Sequence, residues 1–241
     1  MVHRIGLTAV LLLAQQLAFD VASIKPANSG RPGMSIQTDP GRFKAINANV
    51  SFLIQYAYNI RDFQLTGGPA WMDSDTFDID ATGENADYRQ FPLMMRTLLA
   101  NRFQLKFHQE TRPLPIYDLV VARDGPKFKR APETATGSTR RSSGQITISK
   151  GTVAALASAL SNILGRKVID KTGLTGDYDM TLKWTPDEYQ PPPLKPNGPP
   201  PDPNNPSIFT AIQEQLGLKL ESSKGPVEVI VVDSVQRPSE N

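Results

Sequence analysis

The stretch GRFKAINANVSFLIQYAY (41–58) decides the fold, because GQITISKGTVAALASAL (144–160) repeats its pattern later in the same chain. Phe43 and Ala45 alternate with polar residues as a strand requires, and Ile146 and Ile148 stand in the same places. Val50, Leu53, Ile54 and Ala57 then recur at i, i+3, i+4 and i+7, a helical stripe that faces a core. Val153, Leu156, Leu160 and Ile163 stand where Val50, Leu53, Ala57 and Ile60 stood. An internal repeat constrains architecture before any single residue is interpreted.

Working outward, Gly67-Gly68-Pro69 breaks the chain before a strand at Thr76–Ala81, and Tyr178-Asp179 repeats its Phe77-Asp78. A second helix runs over about Tyr88–Asn101 with Phe91, Met94, Met95, Leu98 and Leu99 on one side. Pro92 fits only a first turn, which places the helix start near Gln90. Gln104–Glu110 and Leu114–Val121 read as a hairpin-like pair around Arg112-Pro113. Leu218-Lys219-Leu220 and Pro226 repeat Leu105-Lys106-Phe107 and Pro113 at one constant offset.

The fold class is therefore α+β: two pseudo-repeated β-α-β-β-α-β-β units, with mainly antiparallel sheets and helices packed on one side. The units span 19–123 and 144–241, joined by a linker over 124–143 with few apolar residues. Residues 185–206 hold ten prolines and read as an extended, polyproline-type insert in the second unit.

Residues 1–18 read as a signal peptide, with Arg4 at the basic end, an apolar run over Ile5–Ala14, and small residues Ala14 and Ala18 as cleavage points. The run is about half the ~20 residues that span a bilayer, so no stable membrane span is expected after cleavage. The chain has no cysteine, which excludes disulfides, thiol catalysis and Cys-based zinc sites. A formal charge of +2 carries no broad footprint for nucleic acid. The expected compartment is periplasmic or extracellular.

The motifs FDVASIKP (19–26), GGPAWMDSDTFDIDATG (67–83), LLANRFQLKFHQETRPLPIYDLVVARDGPKFK (98–129), VIDKTGLTGDYDMTLKWTPD (168–187) and IFTAIQEQLGLKLESSKGPVEVIVVDSVQRPSEN (208–241) carry a family resemblance. They resemble those of an exported, paralogous family of acidobacterial type that bears a domain of unknown function. The resemblance implies bacterial origin and export. Some relatives carry the domain beside a BlaR-type membrane metallopeptidase, which implies sensing or envelope signalling. It supplies no catalytic residues.

Candidates for chemistry come from the residues themselves. His108 is the one histidine beyond the leader and alternates with Leu105 and Phe107, which puts it on the polar face of a strand. Asp73, Asp75, Asp78 and Asp80 are clustered, but Asp78 stands at the sixth position where a calcium loop needs glycine, and Asp78 and Asp80 read as the solvent face of a strand, so no metal or cofactor is expected. Asp78 and Asp179, one from each half, are the alternative catalytic pair of a carboxylate-dependent hydrolase. Aromatic–Asp pairs recur at Phe19-Asp20, Phe77-Asp78, Tyr117-Asp118 and Tyr178-Asp179, as ordinary strand patterning does. Trp71, Trp184 and Tyr189 stand beside loops and are the candidate contacts for an envelope protein or polysaccharide. The favoured function is a non-catalytic envelope binding module. The rivals are the hydrolase and a sensory partner of a membrane metallopeptidase.

Overall fold

A computed structural model describes residues 17–27, 33–186 and 202–238. Most of the expected leader, Tyr189 and most of the proline-rich insert lie outside the described residues. In chain order the first elements are β1 (Val21–Pro26), β2 (Ser35–Asp39), β3 (Arg42–Asn49), α1 (Val50–Tyr58), β4 (Leu65–Gly67), α2 (Trp71–Ser74) and β5 (Thr76–Thr82). Next come α3 (Phe91–Arg102), β6 (Lys106–Val121), β7 (Lys129–Arg130), β8 (Ser138–Ser142) and β9 (Gln145–Gly151). The last are α4 (Val153–Leu164), β10 (Val168–Asp170), β11 (Tyr178–Lys183), α5 (Ile208–Leu216) and β12 (Leu218–Ser234). The fold is α+β.

Two compact units divide the chain: residues 1–59, 69–106 and 234–241 in the first, and residues 60–68 and 107–233 in the second. In the first unit β1-β5-β3-β2 form an antiparallel sheet. Phe43 and Ala45 of β3 and Phe77, Ile79 and Ala81 of β5 are buried, as alternation dictates, and Ala48 joins them because the register shifts after Ala45. Phe91 of α3 meets Phe43 edge-on at 5.9 Å, and Phe77 meets Phe103 at 5.4 Å. Asn49 starts α1 by accepting the Phe52 N–H, and Asn59 ends it in the left-handed region. Pro92 lies in the first turn of α3.

The second unit holds two sheets. Antiparallel β7-β11-β9-β8 packs Ile146, Ile148, Met180 and Leu182 against Leu156 and Leu160 of α4 and Ile212 and Leu216 of α5. Its strand order corresponds position by position to β1-β5-β3-β2. The other sheet is β10-β6-β12-β4, with β10 parallel to β6 and β4 parallel to β12. His108 meets Asp233 near one end of β6, while Ala122 donates to Gly217 O past the other end, so β6 and β12 run antiparallel.

Two expectations are corrected here. The hairpin around Arg112-Pro113 is a single strand, β6. Tyr117 donates to Lys167 O and Leu119 accepts from Lys171, so odd-numbered residues turn their backbone groups toward β10. Pro113 and Pro115 share that parity and lie beyond the end of short β10, so their missing N–H groups cost no ladder bond. The linker over 124–143 contains β7 and β8, both exposed edge strands. An edge strand outside the core needs no apolar alternation, which is why composition read this one as a linker.

The aromatic–Asp pairs of β5 and β11 have a shared structural task. β3 bulges between Ala45 and Ala48, opposite Asp78, and the β9–β11 ladder shifts opposite Asp179. The bulged strands place Asn47 at φ 53° and Lys150 at φ 46°, a region side chains disfavour. In each case the amide of that residue donates to the facing carboxylate: Asn47 to Asp78 Oδ1 and Lys150 to Asp179 Oδ1, both at 2.9 Å. Asp78→Ala and Asp179→Ala should each lose about 1 kcal/mol of stability, while the Asn replacements, which keep an acceptor oxygen, should lose little. Urea denaturation midpoints at constant slope are the measurement.

Candidate functional site

Asp78 and Asp179 lie on different sheets, each held by a bulge amide. Trp184, a candidate contact, is 4% exposed and sits inside the core of the second unit. It continues the buried parity of Tyr178, Met180 and Leu182, and its N–H extends the β9 pairing by donating to Gly144 O. Trp71 opens α2 and is half-buried. The Arg237 guanidinium lies over its ring at 4.8 Å and donates from Nε to Asp75 Oδ2 at 2.8 Å. Trp71 thus seats the C-terminal tail of the first unit, which is also tied by Gln236 N–H to Phe103 O at 2.7 Å. Tyr189 lies outside the described residues.

His108 is an exposed strand residue, as its alternation implies, but its cross-strand neighbour is not readable locally. Asp233 of β12 lies 2.7 Å from Nδ1 and Glu110 of β6 lies 2.9 Å from Nε2. Arg112 Nε donates to the other Glu110 oxygen at 2.7 Å. Hydrogen bonds from Glu110 and then Asp233 raise the His108 pKa above its ordinary value. Arg112, then His108, hold the Glu110 carboxyl below its own. Both ring nitrogens face carboxylates, which favour the protonated ring over one poised to take a proton from a nucleophile.

Asp118 is a buried carboxylate. Lys171 Nζ donates to its Oδ2 at 2.8 Å and is the largest cause that keeps its pKa below the usual carboxylate range. The Ser223 hydroxyl also favours the ionised form, although Asp118 Oδ1 and Ser223 Oγ are both buried without a well-aligned hydrogen bond. These residues tie β6 and β12 to the segment after β10.

One surface feature escaped the sequence reading. The buried stripe of α5 is Ile208, Ala211, Ile212 and Leu216, which leaves Phe209 on the outer face, 44% exposed. With Thr210, Gln213, Glu214, Lys219 and Leu220 it lines an open groove of about 330 Å³. Tyr117 supports the Phe209 ring edge-on at 5.6 Å and is itself covered by the Arg166 guanidinium at 4.2 Å. Helical spacing alone would have singled out Phe209 as the apolar residue off the stripe.

A depressed Asp118 pKa stabilises the fold fully above the unfolded carboxylate value of about 4, and that contribution is lost as pH falls through the lower folded value. The Asp118→Asn variant should therefore lose less stability than the parent between neutral pH and about pH 3, by roughly 1 kcal/mol given an exposed lysine partner. Chemical denaturation at both pH values is the check.

Among the described residues no group of three or more His, Asp or Glu side chains could hold a metal ion. Nor is any described helix long and apolar enough to cross a membrane. No curated protein and no solved structure matches the chain. Residues 51–235 match the family described as protein of unknown function (DUF3738). That match covers most of the sequence, including both compact units in part, and the chain belongs to this DUF3738 family.

Proposed function

We propose that this is an exported, non-catalytic module that binds a protein or polysaccharide of the cell envelope. The observation that carries the reading is the engagement of Asp78 and Asp179. They are the carboxylates on which a hydrolase would rest, yet they stand on separate sheets and each holds a bulge amide. Residues 1–18, with a basic start and a short apolar run, support export. The like order of β1-β5-β3-β2 and β7-β11-β9-β8 supports an internal duplication.

The outer face of α5 is the contact surface this reading favours. Phe209 offers an aromatic ring, Thr210 and Gln213 offer hydrogen-bonding groups, and Glu214 and Lys219 oppose one another in charge. Trp184 takes no part, since it is in the core. Trp71 contributes only through the part of its ring that Arg237 leaves uncovered.

Expression of the full chain in a bacterial host, followed by fractionation and mass spectrometry, should recover it outside the cytoplasm with its N-terminus cut near residue 18. Immobilised protein should capture a component of envelope extracts, and Phe209→Ala should weaken that capture about tenfold, the usual cost of losing an aromatic anchor. Asp78→Asn and Asp179→Asn should leave capture unchanged. Turnover of an envelope glycan or peptide that disappears in either Asp variant would replace this reading with the hydrolase.

A further inference from the structure

The chain passes from the first compact unit to the second between residues 106 and 107, and returns between residues 233 and 234. His108 and Asp233 stand at these two places, on neighbouring antiparallel strands. Asp233 Oδ1 lies 2.7 Å from His108 Nδ1, and Glu110 Oε1 lies 2.9 Å from His108 Nε2. A neutral imidazole has one N–H and one lone pair, so only the imidazolium donates to both carboxylates at once. On losing its proton the ring must turn a lone pair toward one of the two anionic oxygens. Glu110 is also held by Arg112. Asp233 has no cation but His108 among the described residues. The cross-strand contact is therefore the one without a second support.

We propose that His108 and Asp233 form a protonation-dependent latch that closes the end of the β6–β12 ribbon where the chain passes between its compact units. The charged groups facing His108 are Asp233 from β12 and Glu110 from its own strand, with Arg112 behind Glu110. Because these carboxylates raise the folded His108 pKa above 6.5, the contact is complete below that value and is lost as pH rises through the folded pKa. Mildly acidic surroundings hold the ribbon end shut, and alkaline surroundings let it fray. At 49% side-chain exposure the ring is reached by solvent, so the latch responds directly to external pH. This inference is independent of the binding reading above.

The test is an NMR titration of His108 in the full chain, combined with amide hydrogen exchange corrected for intrinsic rates. His108 should titrate above 6.5. Protection of the amides at residues 107–110 and 231–234 should fall about two- to fivefold through that same midpoint, the scale an exposed ion pair supports. Amides of β9 and β11 should not change. Asp233→Asn should lower the midpoint and flatten the response, and His108→Arg, a permanent cation, should keep the ends protected at every pH. A His108 midpoint at or below 6.5 would overturn the latch. So would protection that stays constant through the midpoint, or a response that persists in His108→Arg.

Discussion

Pairing between β6 and β12 is the constraint on which the second unit depends. Each is longer than the other strands, and they are far apart in sequence, β6 ending at Val121 and β12 starting at Leu218. Bringing them together costs loop-closure entropy that only burial can offset. Ile116, Val227 and Val229 form a small core on one face, while Leu119 and Leu218 join the larger core with α4 and α5. Each such side chain contributes about 1.5–3 kcal/mol when fully buried. A slip of one residue would turn all of them to the opposite face, so register is strongly specified. Gly225 helps fix it, because a Cβ there would lie 2.4 Å from Ile116 Cδ1. The same register sets His108 against Asp233 and Asp118 beside Ser223.

A recurring two-residue device does much of the remaining local work. In all four aromatic–Asp pairs the ring meets another ring. Phe19 lies 5.9 Å from Phe91, Phe77 5.4 Å from Phe103, Tyr117 5.6 Å from Phe209, and Tyr178 5.0 Å from Phe128. The adjacent carboxylate points the other way and accepts a hydrogen bond. Asp20 accepts from Glu84 N–H, Asp78 and Asp179 from bulge amides, and Asp118 from Lys171. Period-two alternation makes this possible, since neighbouring side chains on a strand face opposite sides. In β5 and β11 this short pattern anchors a strand to its core and ties down an irregular backbone group beside it.

The helices were legible because their apolar stripes are local and their caps are adjacent in sequence: Asn49, Thr152 and Ser207 each accept an amide of the first turn. The internal placement of Trp184 was legible too, from the parity of Tyr178, Met180 and Leu182. Pro113 argued for a turn, and no local rule says which edge of a strand is unpaired. β7 and β8 were invisible because exposed edge strands carry no hydrophobic period.

The sequence by itself determined the α+β class, the helical stripes, the alternation that sorts buried from exposed strand residues, and membership in a family without a described activity. All of these depend on spacings of a few residues, where period and propensity act. The tertiary structure alone decided that β4 lies along β12 and β10 along β6, that Arg237 covers Trp71, and that Asp233 reaches His108. These depend on contacts between residues far apart in the chain. Their free energy comes from burial and pairing of groups whose positions no local pattern encodes.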